Sequence, residues 1–372
     1  MPYHTVKARL MNRPHRKLFS SRLDSFSGVT ALILLAMLGM KTLSQAGELP
    51  DPADHLPPNI QRLTWFGERA DWRHDGERFV FLNRAYGDVY EYDLKTGRIL
   101  PCTDHFKHHG FVRAHYLANG DLLLSGPQTT FDRTDPKARQ QARDASELLV
   151  LDKSFTKPPV ALGIQCNEGP AVSRKSMKIA WTHGHQDHIS TGEIVMEGAS
   201  PELMKPVLKN RQLVLKTQDF PEGERPRQWI ETQNFVPGNE NLLTVTAYEI
   251  QNTTNTETYL LDLNSGKLTN LSQTADRYEE CEGVFPDGRW TLVESSEFLN
   301  VRWPLVDLYK LALDGSGTRQ RLTHFTDFKG WKGAEGVVSD DGRFLLFQNG
   351  KSGQESGVGF GIFLMKLDDQ PR

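Results

Sequence analysis

The sequence has few cysteines, no strong excess of one charge and only one long apolar run. Its three cysteines, Cys102, Cys166 and Cys281, can form at most one disulfide, so core packing must hold the fold. The 372 residues carry 44 basic and 47 acidic side chains, for a net charge of -3. Without a dense basic stripe, nucleic acid is excluded as the expected partner.

The one long apolar run lies near the N-terminus and is typical of a secretory signal peptide. Basic residues precede the apolar stretch 29–40, and the small residues 44–46 follow it. This pattern predicts a signal peptide over residues 1–46, a linker rich in Pro and Asp over 47–59, and a periplasmic or secreted protein. The apolar stretch is shorter than the roughly 20 residues of a membrane-spanning helix. We therefore expect no membrane span after cleavage, and the sequence leaves open whether the signal is retained.

The rest of the chain repeats one unit, which is clearest in residues 282–325. Four short runs of alternating polarity are separated there by the turns 286–288 and 314–317. Such turns favour β-hairpins, because glycine accepts the positive φ that they need. A comparable first turn returns about every 50 residues, at Asp75-Gly76, Asn119-Gly120, Lys175-Ser176, Gly238-Asn239, Asp287-Gly288 and Asp341-Gly342. Six such units predict an all-β fold, a six-bladed β-propeller of four-stranded antiparallel blades over residues 60–368.

The ends of this region predict how the ring closes. The last unit lacks a fourth strand of its own, whereas a strand-like segment, residues 60–64, stands before the first complete unit. Pairing of the N- and C-terminal strands in one blade would remove the exposed edges of an open ring. Two insertions interrupt the repeats: a polar loop over 127–146 with helical character near 136–143, and residues 199–210 between the third and fourth strands of blade 3.

The repeats resemble the TolB-like family of six-bladed propellers built from Pro-Asp-Gly units. The residues that carry the resemblance are Val284 to Arg289, Val338 to Phe344 and Asp71 to Arg78, each followed by a strand such as Asp88-Val-Tyr-Glu-Tyr-Asp-Leu94. The resemblance covers residues 60–368 and implies an exported propeller. Oligogalacturonate lyases use a related propeller with a histidine-bound metal, but their His-Pro-His element is absent here.

One face of the predicted propeller collects the polar residues of interest. We call it the loop-rich face, because the loops between second and third strands and the links between blades all emerge there. The expected ligand-binding residues on it are His105, His108 and His109 after blade 1, and Glu168, Glu282 and Glu335, each in a Glu-Gly step before an innermost strand. Imidazoles and carboxylates around a channel mouth can bind a divalent metal or a polar ligand. Alternatively, the glutamates accept backbone N–H bonds and lock adjacent blades.

The sharpest local pattern is the run from Thr182 to His188. It matches the His-x-His-x-Asp-His motif of the metallo-β-lactamase fold, but that fold needs further downstream histidines, and only His324 follows. The hypothesis that remains is a divalent metal held in a propeller loop by His183, His185, His188 and Asp187, since residues i and i+2 of an extended backbone point to one side. The alternative is a polar loop whose histidines face water.

Arg302, Trp303 and Trp331 are the other candidates on this face. Tryptophan and arginine in loops are typical binding anchors, and the alternative is packing between blades. Two functions therefore stay open: a monomeric protein that binds a protein or cell-envelope component, or a metal- or histidine-dependent lyase or hydrolase acting on a saccharide. In the second, the histidines are metal ligands or the base, and Trp303 or Trp331 is the sugar platform.

Overall fold

Six four-stranded antiparallel sheets make up the computed structural model. It describes residues 50–200, 203–250, 255–274, 276–296 and 305–367. Within these ranges, no helix is both long and apolar enough to cross a membrane. The predicted all-β, six-bladed propeller is confirmed by this strand order.

The first strand of the chain, β1 (Ile60–Arg62), belongs to the last blade, and the other strands follow blade by blade. Blade 1 holds β2 (Glu68–Trp72), β3 (Arg78–Leu82), β4 (Val89–Asp93) and β5 (Ile99–Pro101). Blade 2 holds β6 (Arg113–Tyr116), β7 (Leu122–Pro127), β8 (Ser146–Leu151) and β9 (Val160–Gln165). The helix α1 (Pro136–Asp144) lies between β7 and β8. Blade 3 holds β10 (Ala171–Val172), β11 (Lys178–His183), β12 (His188–Glu197) and β13 (Lys205–Lys216).

The second half of the ring has the same plan. Blade 4 holds β14 (Ile230–Val236), β15 (Asn239–Tyr248), β16 (Thr256–Asp262) and β17 (Leu268–Asn270), and blade 5 holds β18 (Tyr278–Val284), β19 (Trp290–Ser296), β20 (Asp307–Ala312) and β21 (Arg319–Arg321). Blade 6 holds β22 (Trp331–Val338), β23 (Phe344–Lys351) and β24 (Ile362–Lys366), with β1 as its outer strand. The first strands of blades 1 and 2 contact each other, as do those of blades 3 and 4, 4 and 5, 5 and 6, and 6 and 1, so the innermost strands surround the central channel.

Turn chemistry explains why the strands reverse where they do. In the turn before β19, Asp287 Oδ1 accepts a hydrogen bond from the amide of Arg289 at 2.9 Å, and Gly288 has φ of 66°. An equivalent bond from an aspartate to the amide two residues later closes the turn before β3 and the turn before β23. An aspartate side chain that mimics a backbone acceptor stabilises this kind of turn.

The core lies between adjacent blades, because each blade buries both of its faces against its neighbours. β7 and β20 are buried at every position, unlike strands that face water on one side. Between blades 1 and 6, Trp72 and Phe79 pack with Leu346 and Ile362, and Trp72 Nε1 donates to the carbonyl of Val337 at 3.1 Å. The three cysteines are buried as free thiols in separate blades, so none of them forms a disulfide.

The predicted closure of the ring is confirmed. Ile60 pairs with Met365 and Arg62 with Phe363, antiparallel, and the amide of Lys366 donates to the carbonyl of Asn59 at 2.8 Å. The segment 199–210, predicted as an insertion, is only partly one. Its second part belongs to β13, since β12 and β13 continue pairing beyond the rest of the blade, from Glu193–Lys209 to Glu197–Lys205.

Candidate functional site

Irregular strand pairing turns side chains of the innermost strands into the channel. In blades 1, 4, 5 and 6 the pairing with the second strand shifts register, and the residues skipped there include Arg69, Gln233, Glu282 and Glu335. All four line the channel cavity, together with Arg113 from the regular strand β6. A β-bulge re-aims a side chain at the cost of ladder hydrogen bonds. The channel lining is therefore built by four separate departures from regular strands.

Two of these residues hold an unfavourable backbone conformation. Arg69 has φ of 56° and Glu335 has φ of 52°, in the left-handed region that costs a residue with a side chain on the order of 1 kcal/mol. Their amides are bonded to side chains instead of a strand. Arg69 N donates to Gln348 Oε1 at 2.8 Å, and Glu335 N donates to Glu294 Oε1 at 2.6 Å.

One side of the channel mouth, the arginine half, consists of Arg69, Arg113, Arg143, Glu168 and Glu335. Glu168 Oε1 lies 3.3 Å from both Arg69 Nη1 and Arg113 Nε. Glu335 lies 3.3 Å from Arg69 Nε and 2.5 Å from Arg113 Nη1. Burial alone raises the pKa of Glu335, but Arg113 and Arg69 outweigh it and hold that pKa below its usual range. These ion pairs join blades 1, 2, 3 and 6.

The other side, the glutamate half, consists of Glu231, Glu280, Glu282 and Glu294 in blades 4 and 5. Burial raises the pKa of Glu282 well above its usual value, and the neighbouring carboxyls of Glu335, Glu294 and Glu280 raise it further. Burial likewise raises the pKa of Glu294, against an opposing effect of a nearby lysine. Glu282 makes no hydrogen bond or ion pair with any other residue that the structure describes.

A shared hydroxyl shows that a proton is retained in the glutamate half. Tyr248 Oη lies 2.9 Å from Glu231 Oε2 and 2.6 Å from Glu280 Oε1. A tyrosine hydroxyl has one proton to donate, so one of the two carboxyls must donate its own proton to complete both bonds. Burial and then Glu280 raise the pKa of Glu231, which agrees with a protonated carboxyl at this position.

The glutamate half also has the geometry of a cation site. Within the described ranges, the one group of three imidazole, thiolate or carboxylate ligands with donor atoms within 4.8 Å of one another is Glu280, Glu282 and Glu294. Carboxylate oxygens suit hard cations such as Mg²⁺ and Ca²⁺. Because the pKa values of Glu282 and Glu294 are raised, binding of a cation there would release protons.

The predicted metal ligands of blade 3 lie at a tight turn on the loop-rich face. His183 and His188 face each other across β11 and β12, with ring centroids 5.6 Å apart. His183 Nε2 lies 2.8 Å from Ser190 Oγ, and His188 Nδ1 lies 2.5 Å from Asp187 Oδ1. Burial and the adjacent His188 lower the pKa of His183, whereas His185 is exposed. The structure brings His183, Asp187 and His188 together, and metal binding by this loop stays a prediction.

The histidines after blade 1 have local partners. His108 Nε2 lies 3.0 Å from Asp88 Oδ1, and its Nδ1 accepts a bond from the backbone amide two residues later. His105 Nε2 lies 3.0 Å from a backbone carbonyl of blade 2, and His109 Nδ1 lies 3.2 Å from Thr130 Oγ1. These contacts hold the link and the blade 2 insertion, and a ligand-binding role for the three imidazoles stays a prediction.

Trp331 is buried, whereas an indole that stacks on a ligand is exposed. It is 4% exposed, its ring packs edge-on against Phe360 with centroids 5.7 Å apart, and Lys351 Nζ lies 4.9 Å from the ring. These contacts are inside blade 6, not between blades, and a ligand-binding role for Trp331 stays a prediction. Arg302 and Trp303 lie outside the described residues.

Trp65 is an exposed aromatic residue that sequence reasoning missed. It lies in the link from β1 to β2, on the loop-rich face, and is 71% exposed. The guanidinium of Arg62 lies 4.2 Å from the ring centroid and orients the indole by a cation–π contact. The sequence signal for Trp65 was its position just after β1, the strand that closes the ring.

No protein-family model and no curated protein sequence matches this chain. Solved structures that resemble it include an oligogalacturonate lyase in complex with manganese, at 14% identity over 81% of this chain and 77% of that one, with a TM-score of 0.47. TolB from Acinetobacter baumannii has 14% identity over 84% of this chain and 66% of that one, with a TM-score of 0.42. A streptogramin B lyase has 12% identity over 83% and 97%, with a TM-score of 0.43. At such identities and scores, these likenesses say nothing about function.

Proposed function

We propose that this chain is an exported, non-enzymatic binding protein whose ligand, a protein or another cell-envelope component, docks on the loop-rich face over the channel mouth. The observation that carries the proposal is the set of bulges that turn Arg69, Gln233, Glu282 and Glu335 into the channel. Export rests on the signal-peptide pattern of residues 1–46.

The channel lining lowers the stability of the fold, which supports a role for these residues beyond closing the ring. Two non-glycine residues in left-handed conformations and several buried charges oppose stability. Glu168 and Glu335 offset part of that cost, because they pair with arginines of neighbouring blades. Glu282 offsets little of it, since no described residue lies within ion-pair distance of its carboxyl and burial raises its pKa. Groups with strongly perturbed pKa values concentrate at functional sites.

The charges favour a ligand that brings a cationic group. The arginines of the mouth already contact carboxylates, whereas the glutamate half has four carboxyls and no arginine of its own. A cation placed beside Glu282 would favour its ionised form and lower its pKa. Binding should therefore release protons and become tighter as the pH rises.

Site-specific photo-cross-linking in the native host tests the binding face. A photoreactive amino acid replaces Trp65 on the loop-rich face in one variant, and Lys95, in the exposed turn between β4 and β5 on the opposite face, in the control. We expect a discrete adduct of one mass from position 65 that decreases in a Glu282→Gln background, and none from position 95. Equal adducts from both positions, or none from position 65, would contradict the proposal.

A second candidate is a saccharide lyase or hydrolase, favoured by the opposite pKa shifts of two adjacent carboxyls. Burial and like charges raise the pKa of Glu282, whereas Arg113 and Arg69 hold the pKa of Glu335 below its usual range. Such a pair can supply a general acid and a general base. Turnover of uronic-acid oligosaccharides that both Glu282→Gln and Glu335→Gln abolish would favour the enzyme over the binding protein.

A further inference from the structure

The insertion of blade 2 reaches the channel mouth with a single charged side chain. Arg143, in the last turn of α1, contacts Glu168 Oε2. The other oxygen of that carboxylate, Oε1, is the one that Arg69 and Arg113 contact. Among the described residues, Arg143 is therefore the partner of Glu168 Oε2, and Glu168 is 2% exposed.

Arg143 is in an electrostatically less favourable setting than Arg113. Burial lowers its pKa, and the positive charges of Arg69 and Arg113 lower it further, whereas Glu231 opposes this effect. Arg113 in contrast has its pKa raised by Glu335, which outweighs burial. Three guanidinium groups thus contact Glu168, and the one from the insertion has a lowered pKa, whereas that of Arg113 is raised.

The rest of α1 is held by few contacts. Ala142 is its one buried residue. It packs with Tyr86 and Val112, and Tyr86 Oη donates to the carbonyl of Arg139 at 2.7 Å. A nine-residue helix is marginal in isolation, and segments with few buried apolar contacts open at low free energy. Apart from hydrogen bonds from Ser146 and Asn167 to carbonyls of its last turn, little holds α1, so its opening should cost less free energy than opening of the sheets.

We propose that α1 is a displaceable lid, and that Arg143 occupies the place taken by a guanidinium or ammonium group of the ligand. This inference rests on the proposed function, and it assigns the ligand's chemistry at the mouth. When the lid leaves, Glu168 Oε2 becomes an open, nearly buried acceptor, and Glu231 acts electrostatically on the position that Arg143 vacates. A cationic ligand group replaces the ion pair without leaving a buried carboxylate unpaired, which is the costly state.

Binding of a defined basic peptide by the mature chain tests the lid. Isothermal titration with acetyl-Gly-Arg-Gly-amide compares wild type, Arg143→Gln and Lys137→Gln. Lys137 lies on the same helix, exposed and away from the mouth, so its variant matches the charge change. A tethered group competes at an effective concentration in the millimolar range. We expect Arg143→Gln to bind the peptide about tenfold tighter than wild type, Lys137→Gln to bind as wild type, and Arg143→Gln with Glu168→Gln to lose the gain.

Hydrogen exchange on the wild-type protein keeps the test independent of any folding defect. Saturating peptide should accelerate exchange of the α1 amides and leave those of β7 and β8 unchanged. Equal peptide affinity in wild type and Arg143→Gln, or binding with unchanged α1 exchange, would overturn the lid. If position 65 still gives its cross-linked adduct in that case, the binding-protein proposal stands and only the lid is wrong.

Discussion

The two halves of the channel mouth accommodate their carboxyl groups in opposite ways. In the arginine half, Glu168 and Glu335 bridge arginines of neighbouring blades, which lower the pKa of Glu335. In the glutamate half, Glu231 and Glu280 share one tyrosine hydroxyl, and burial raises the pKa of Glu282. Both sets lie at the innermost strands, so the position in the repeat does not decide their role. Their interaction partners decide that role. The first half holds blades together through its ion pairs, and the second half keeps acidic groups available to a ligand.

The largest expected effect comes from breaking the arginine half. Arg113→Ala removes the ion pairs to Glu168 and Glu335 and leaves both carboxylates with fewer cationic partners in a buried setting. Loss of one partner of a buried pair typically costs about 3–5 kcal/mol. Chemical denaturation should show a loss of that size, whereas Arg289→Ala, which breaks the exposed pair with Asp287, should cost less than about 1 kcal/mol. Similar losses in the two variants would show that the arginine half does not hold the blades.

A smaller effect, of opposite sign, is expected in the glutamate half. The unfolded chain releases the Glu282 proton near the ordinary glutamate pKa, but the folded protein retains it to higher pH because burial raises that pKa. The free energy of unfolding should therefore fall as the pH rises above about 4.3. Glu282→Gln removes this loss, so its melting temperature should exceed that of wild type by about 2 °C or more at pH 8.

The same pair of measurements at pH 5 provides the control for Glu282→Gln. The difference from wild type should shrink there, because pH 5 lies only slightly above the ordinary glutamate pKa of about 4.3, so little of the loss has developed. Glu335 has the reverse linkage: its lowered pKa contributes stability above the ordinary glutamate pKa, and this contribution is lost as the pH falls. A melting temperature of Glu282→Gln below that of wild type at pH 8 would mean that Glu282 is ionised and stabilised.

The smallest effect on stability is expected at the histidine loop. His183→Ala with His185→Ala changes half-buried and exposed side chains at a turn, so unfolding should change by less than about 1 kcal/mol. If the predicted metal site forms there, the purified wild type carries one divalent ion per chain and the double variant carries none. Metal that persists in the double variant but disappears in Glu280→Gln would place the ion in the glutamate half instead.

The fold was predictable because turn chemistry is local. Aspartate and glycine at the hairpin turns mark each blade, and the missing fourth strand of blade 6 indicates how β1 closes the ring. The Glu-Gly step also identified Glu282 and Glu335, since both precede a glycine of an innermost strand that the bulge includes.

The rest of the site consists of contacts between residues that are far apart in the sequence and meet only in the folded structure. Arg69 and Arg113 meet Glu335 because the ring places blade 6 beside blade 1, across more than half of the sequence. Register shifts leave no signature in composition, so neither Gln233 nor the left-handed Arg69 stood out. The histidines attracted attention as ligand-type residues, but the dense charge network of the mouth is made of arginine and glutamate.

The pairing of β1 with β24 also has a consequence for the order in which the molecule can form. Strands at the two extremes of the propeller must meet before the ring exists, and contacts so distant in sequence form late in folding. Until β24 pairs with β1, the ring stays open between blades 6 and 1, and the ion pairs of the arginine half that join these blades are not held in place. A chain that is threaded or synthesised from its N-terminus therefore completes its channel mouth last.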